Sequence, residues 1–228
     1  AIAAAQALLD CAHGTTLNER DATAVFAALG IPAVESQVLS TPDQPSTIAY
    51  PVVAKVLSRD VLHKTEAGGV VLGIADAVRL KDACGRILDN VRAIHPDARI
   101  DGVLVQKMER GLVEAILGYR RDSQVGPVVI VGAGGTLAEI YKDYAIRCAP
   151  VDLSEARRMV DEVKAFALAR GYRGQPKGDL EALAHAVVAF SALAQLGGAP
   201  VLEAEINPLL VKPAGEGVVA VDGLLVRG

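Results

Sequence analysis

The sequence predicts an α+β fold built in two lobes, and three observations carry that prediction. The chain is 51% hydrophobic and 22% charged over 228 residues, enough to build a substantial core. Short β-branched apolar runs, the signature of buried strands, recur along its whole length. They do not alternate strictly with helical patterns: several neighbour one another as hairpin-like pairs, which disfavours a doubly wound parallel sheet.

The elements follow in order. Residues 1–12 read as a helix of small apolar residues that Gly14 ends. TLNERDATAVFAALG is a second helix: Thr16 or Asn18 can cap it, acidic residues occupy its first turn, and Ala22, Val25, Phe26 and Leu29 share one face. Gly30 stops it, and Pro32 starts an extended segment through Val38. After a loop marked by Pro42 and Pro45, YPVVAKVL is a strand, SRDVLHKTEAGG a polar connection and VVLGI a strand. DAVRLKDACGRILDNVRAI has helical spacing at Val78, Leu80, Ala83, Ile87 and Val91. GVLVQKM, EAILGYR, GPVVIVGAGG and AIRCAPV are four more strands. LSEARRMVDEVKAFAL, capped near Asp152 or Ser154, and DLEALAHAVVAFSALAQL, capped by Asp179, are helices. VLEAEINPLLV and GVVAVDGLLV close the chain as two strands joined by a turn at KPAGEG.

Composition excludes several classes. The formal net charge is −4, with no long Lys/Arg run, and aromatics are 4% with no Trp, which argues against nucleic-acid partners. Cys11, Cys84 and Cys148 are scattered without metal-ligand spacing and suit a reducing cytoplasm. No apolar stretch is long enough to span a bilayer, and no signal-peptide pattern opens the chain. The first residue is Ala, which fits either a trimmed initiator or a piece of a longer polypeptide.

Four features could carry chemistry. Lys55 interrupts the apolar run VVAKVL; it reads equally as an anion contact or as a strand-end lysine reaching water. In HKTEAGG, Gly68 and Gly69 could let backbone amides approach a phosphate, with Lys64 adding charge; the plainer reading is a hairpin turn. VGAGG at 131–135 is a second glycine loop and reads better as a tight turn. Glu203, Glu205 and Asn207 alternate along one strand face, and a hairpin would bring Asp222 near Asn207. Such oxygens suit Mg²⁺ and suit a solvated edge strand about as well. His63 stands beside the first glycine loop, where an imidazole could carry a phosphoryl group. His13, His95 and His185 read as structural.

The segments YPVVAKVLSRDVLHKTEAGGVVLGI, GVLVQKM, EAILGYRRDSQVGPVVIVGAGGTLAEIYKD, RGYRGQP and EAEINPLLV…VVAVDG, in this order, resemble the ATP-grasp domain of NDP-forming acyl-CoA synthetases, the group that holds ADP-forming acetyl-CoA synthetase and relatives of succinyl-CoA synthetase. The resemblance runs from about Leu17 to Asp222. It implies a two-lobed ATP-grasp fold, with residues 1–14 a bridging helix from a preceding domain, 15–107 the N-terminal lobe and 108–228 the C-terminal lobe. It also implies that ATP or ADP with Mg²⁺ is bound and that acid, CoA and ATP are interconverted with acyl-CoA, ADP and phosphate.

By position, the resemblance places Lys55 on the nucleotide phosphates and the Gly68–Gly69 loop, with Lys64, over them. Gln106, Lys107 and Met108 fall on the strand that meets adenine, and Glu114 near the ribose or hinge. Asn207 and Asp222 fall on Mg²⁺, Glu205 where a phosphohistidine from elsewhere docks, and His63 on a histidine that takes the phosphoryl group before ADP does. The implied partner is a set of CoA-binding and ligase domains, or an α-type subunit, carrying that phosphohistidine; an oligomer is compatible. Two alternatives stay open: a regulatory ATP-grasp domain of a fused protein acetyltransferase, and another ATP-grasp acid–CoA ligase.

Overall fold

The computed structural model describes residues 1–61, 63–135, 143–171 and 174–228. Parts of the GAGGTLAEIYKD and RGYRGQP segments, and Leu62 beside His63, lie outside the described residues. The chain forms two compact units. The larger comprises residues 1–17, 21–33 and 110–228, and the smaller residues 18–20 and 34–109. Among the described residues no helix is long and apolar enough to cross a membrane.

In the smaller unit, β2 (Ser36–Leu39), β3 (Val52–Leu57), β4 (Val70–Ile74) and β5 (Gly102–Lys107) form an antiparallel sheet in the order β2-β5-β3-β4. The helix α3 (Ala77–Ile94) starts where Asp76 accepts the Arg79 amide at 2.9 Å. Its buried residues Leu80, Ala83, Cys84, Ile87 and Val91 form one stripe at three- and four-residue steps. That stripe closes a core with Val52, Ala54 and Val56 of β3 and Val103 and Val105 of β5. Strand alternation therefore turns Lys55 and Gln106 to the sheet's other face.

The larger unit holds α1 (Ile2–Cys11), β1 (Thr16–Leu17), most of α2 (Glu19–Leu29), β6 (Val113–Asp122), β7 (Gly126–Ala133), β8 (Tyr144–Cys148), α4 (Leu153–Glu162), α5 (Leu180–Ser191), β9 (Val201–Val211), β10 (Val218–Ala220) and β11 (Gly223–Arg227). Its sheet runs β1-β11-β9-β6-β7-β8, with β10 also paired to β9. Ala115, Leu117 and Tyr119 of β6, Val129 and Val131 of β7, and Ala204 and Ile206 of β9 join the helices in one core. There Phe26 of α2 meets Phe190 of α5 edge to face, centroids 5.2 Å apart. Glu114, Gly118, Arg120, Glu203 and Glu205 alternate with those core residues and so lie on the other face.

Two irregularities shape this sheet. Ala115 faces Leu209 while Leu117 faces Ile206, so β9 carries one extra residue at Asn207–Pro208, a β-bulge. The final segment, expected as one strand, is two: β10 and β11 both pair with β9, and Val221–Asp222 break the run between them. The turn joining β9 to β10 is fastened by Asp179. Its Oδ1 caps α5 through the Ala182 amide at 3.0 Å, and its Oδ2 accepts the Gly215 and Gly217 amides at 2.9 and 3.0 Å. Those amides hold its carboxyl below the usual carboxylate range.

The run LSEARRMVDEVKAFAL, expected as one helix, ends at Glu162; Val163 is extended, and a 3-10 helix follows over Lys164–Arg170. The cause is distant in sequence. Asp143 accepts the Lys164 amide at 3.0 Å and the Ala165 amide at 2.7 Å, capping a new turn. The Arg170 guanidinium takes the Val160 and Asp161 carbonyls, both at 3.1 Å. The last expected helix likewise becomes 3-10 after Ser191, over Ala192–Gln195.

Candidate functional site

In the smaller unit, three polar side chains converge on one carboxylate. Lys55 sits mid-strand in β3, between Val70 of β4 and Leu104 of β5. All six β3 residues are buried. Its ammonium donates to Glu19 Oε1 at 2.8 Å. Gln106 Nε2 donates to the same oxygen at 3.1 Å, and Lys64 Nζ lies 3.0 Å from Glu19 Oε2. The Glu19 side chain is 1% exposed, against 8% for Lys55 and 14% for Lys64. Two lysines from different segments thus meet at one carboxylate in a nearly dry place.

The neighbouring loop is a turn, the plainer of its two sequence readings. The Gly68 amide donates to the Thr65 carbonyl at 3.0 Å and the Gly69 amide to the Lys64 carbonyl at 2.7 Å. Both amides are therefore engaged within the turn rather than open to a phosphate. The glycines answer a packing need instead: a Cβ on Gly69 would meet Val56 Cγ1 at 2.7 Å, and one on Gly68 would meet Asn90 Nδ2 at 2.7 Å. Gly68 also has φ of +63°. His63 opens this turn, its carbonyl accepting the Ala67 amide at 3.2 Å, and its side chain is exposed. The second loop is also a turn: Gly134 donates to the Glu114 carbonyl at 2.8 Å, and Ala133 to the Asp143 carbonyl at 3.1 Å.

Lys107 closes β5, and its amide donates to the Glu35 carbonyl at 3.0 Å; the Met108 amide donates to the Pro51 carbonyl at 3.3 Å. The Lys107 ammonium lies 3.1 Å from Glu109 Oε1. Glu114 lies in the larger unit, exposed on β6, with its carboxylate next to Gly135.

The second cluster belongs to the larger unit. Glu205 on β9 lies between Gly118 of β6 and Leu224 of β11. Two residues on, the Asn207 amide donates to the Asp222 carbonyl at 3.3 Å. Asp222 Oδ1 accepts the Gly223 amide at 2.8 Å, which orients the carboxylate at the break between β10 and β11. The structure thus brings Glu205, Asn207 and Asp222 together by strand register. Asn207 is exposed, and Glu205 and Asp222 are half-buried. Among the described residues there is no group of three or more His, Cys, Asp or Glu able to hold a metal by themselves. The donors present, one amide oxygen and one carboxylate, are hard oxygens of the kind that share Mg²⁺ with phosphate and water.

Sequence reasoning placed Lys55, Lys64 and Gln106 in one site but passed over Glu19, reading it as an acidic residue of a helix's first turn. The usable signal was electrostatic: two lysines in or beside a buried strand call for a buried counterion.

The sequence profile of the ATP-grasp domain family matches residues 10–226. The chain is 35% identical over 216 residues to the β subunit of acetate–CoA ligase (ADP-forming) II of Pyrococcus furiosus, covering 93% of this chain and 92% of that one. It is 45% identical over 177 residues, 78% of its length, to acetate–CoA ligase (ADP-forming) I of Archaeoglobus fulgidus, of which that match covers 26%. The chain thus spans about a quarter of that longer relative and nearly all of the β subunit. Among solved structures it superposes on dinucleotide-forming acetyl-coenzyme A synthetase 1 of Ca. Korarchaeum cryptofilum, in complex with coenzyme A and Ca-AMPCP, with TM-score 0.87 at 31% identity over 94% of each chain. A second structure of that enzyme carries coenzyme A and Mg-AMPPCP, with its phosphohistidine segment pointing towards the nucleotide site. It matches with TM-score 0.82 at 28% identity over 98% of this chain and all of that one.

Proposed function

Because this chain belongs to the ATP-grasp domain family, with ADP-forming acetate–CoA ligase β subunits among its homologues, we propose that it is the nucleotide-binding part of an ADP-forming acid–CoA ligase. It moves a phosphoryl group between a histidine and a nucleoside diphosphate. The observation that carries the proposal is the convergence of the Lys55 and Lys64 ammonium groups on the buried Glu19 carboxylate. It supplies the fixed charge that phosphoryl transfer needs more than covalent help.

Lys55 and Lys64 hold the phosphates. Gln106 to Met108 line the base, with Glu114 towards the ribose. Asn207 and Asp222 would hold Mg²⁺, whose charge would offset that of the phosphates. His63, exposed beside Lys64 in sequence, takes the phosphoryl group on a neutral ring nitrogen; the bond from phosphorus to the donor atom breaks, and a terminal phosphate oxygen of ADP then displaces the imidazole. Glu205 orients the incoming phosphohistidine of an α-type partner or fused domain, which also supplies the CoA and acid sites. The Gly68–Gly69 turn fixes the Lys64 backbone and so shapes the approach to the phosphates. A cytoplasmic setting fits this chemistry and the three unpaired thiols.

Calorimetric titration with Mg-ADP tests the site. Lys55→Ala and Asp222→Ala should each weaken binding by at least about tenfold, the loss of one charge-assisted contact or metal ligand. Unchanged affinity in both removes the assignment. His63→Asn should retain Mg-ADP binding yet block phosphoryl transfer to ADP when the partner domain is added. Transfer at the normal rate would leave His63 a turn residue.

A further inference from the structure

We infer that Glu19 is a positioning residue: its buried carboxylate sets the separation and direction of the Lys55 and Lys64 ammonium groups, so that they meet a nucleotide's phosphates as a fixed pair. The inference rests on the phosphate-binding role proposed above for Lys55. A lysine ends in a point charge on a four-carbon stem, and nothing in its own geometry fixes where the ammonium stops. Here the two stems leave different elements, one from the middle of β3 and one from the turn after it. They are brought to the two oxygens of one carboxylate, at 2.8 and 3.0 Å.

The carboxylate is itself held. Gln106 Nε2, on the strand adjacent to β3, donates to the oxygen that Lys55 uses, at 3.1 Å. The backbone around Glu19 is tied to the same unit, with Asn18 Nδ2 donating to Asp101 Oδ2 at 3.0 Å. Exposure ranks the groups in the order such a role needs: 1% for Glu19, 8% for Lys55 and 14% for Lys64. The anion that organises is innermost, and the cations that would greet a ligand lie further out.

A carboxylate that merely competes with phosphate for the lysines predicts the opposite result on mutation, and this makes the test decisive. Mg-ADP and adenosine are titrated into the wild-type 228-residue chain and into Glu19→Gln, Glu19→Asp, Lys55→Ala and the double variant Glu19→Gln/Lys55→Ala. Glu19→Gln preserves shape and removes the charge; Glu19→Asp preserves the charge, shortens the reach and serves should the amide variant not fold. The expected result is a loss on the order of tenfold in Mg-ADP affinity for Glu19→Gln and a smaller loss for Glu19→Asp. Adenosine affinity should be unchanged in both, and the double variant no weaker than Lys55→Ala alone. Unchanged or tighter Mg-ADP binding in Glu19→Gln or Glu19→Asp, while Lys55→Ala loses affinity, overturns the role of Glu19 and leaves the site standing. An equal loss of adenosine binding overturns it too, since the damage would then be general. Wild-type Mg-ADP affinity in Lys55→Ala overturns the site itself.

Discussion

The two polar clusters are built in opposite ways. In the smaller unit, Lys55, Lys64 and Gln106 reach a buried carboxylate from separate elements, and side chains satisfy side chains. In the larger unit, backbone register sets Glu205 and Asn207 on β9 beside Asp222 at the break between β10 and β11, and their side chains are exposed or half-buried. The first arrangement makes charge part of the interior, so any loss of one of its groups falls on stability as well. The second leaves its oxygens on a scaffold that would stand without them.

The contrast can be broken most directly by comparing stabilities. Glu19→Ala removes the buried carboxylate that both ammonium groups meet and should cost about 3–5 kcal/mol in unfolding free energy. Asp222→Ala removes a partly exposed carboxylate and should cost less than about 1 kcal/mol, while still losing Mg-ADP. Urea unfolding of both variants decides it, and equal costs would abolish the distinction.

A smaller effect is expected at Asp179, which ties the β9–β10 turn to α5. Asp179→Ala should lose about 1–2 kcal/mol as a helix cap is removed. The pH dependence has a definite sign. Amide hydrogen bonds from Ala182, Gly217 and Gly215 depress the folded pKa below the ordinary value of 3.8. The stabilisation is therefore complete above that value and is lost as pH falls through the folded pKa. Acid unfolding followed by circular dichroism should show a shallower decline below about pH 4 for Asp179→Asn. An unchanged profile would assign the acid sensitivity to other carboxylates.

What could be read from the chain follows the same division. The second cluster depends on alternation and a hairpin, both local patterns, and Glu203, Glu205 and Asn207 could be placed on one face from spacing alone. The first depends on a partner 36 residues before Lys55, which no local pattern reveals. The Gly68–Gly69 pair was visible as a turn, yet whether its amides point outward or inward is decided by hydrogen bonds to Thr65 and Lys64. The helix expected through Leu168 failed for a similar reason: Asp143, far upstream, caps a new turn at Lys164 and Ala165. The resemblance to ATP-grasp domains of acyl-CoA synthetases needed no such geometry, because it rests on the order of several segments, and the family match over residues 10–226 agrees with it.

The extra residue at Asn207–Pro208 acts as a phase shift in β9. Before it, even-numbered Ala204 and Ile206 are interior; after it, odd-numbered Leu209 and Val211 are, opposite Ala115 and Val113. One unbroken strand can therefore present acids outward along its first half and switch parity without a loop. Removing a single residue at that point would leave the composition almost untouched. It would nevertheless turn Leu209 and Val211 out of the core and towards the face that now carries Glu205.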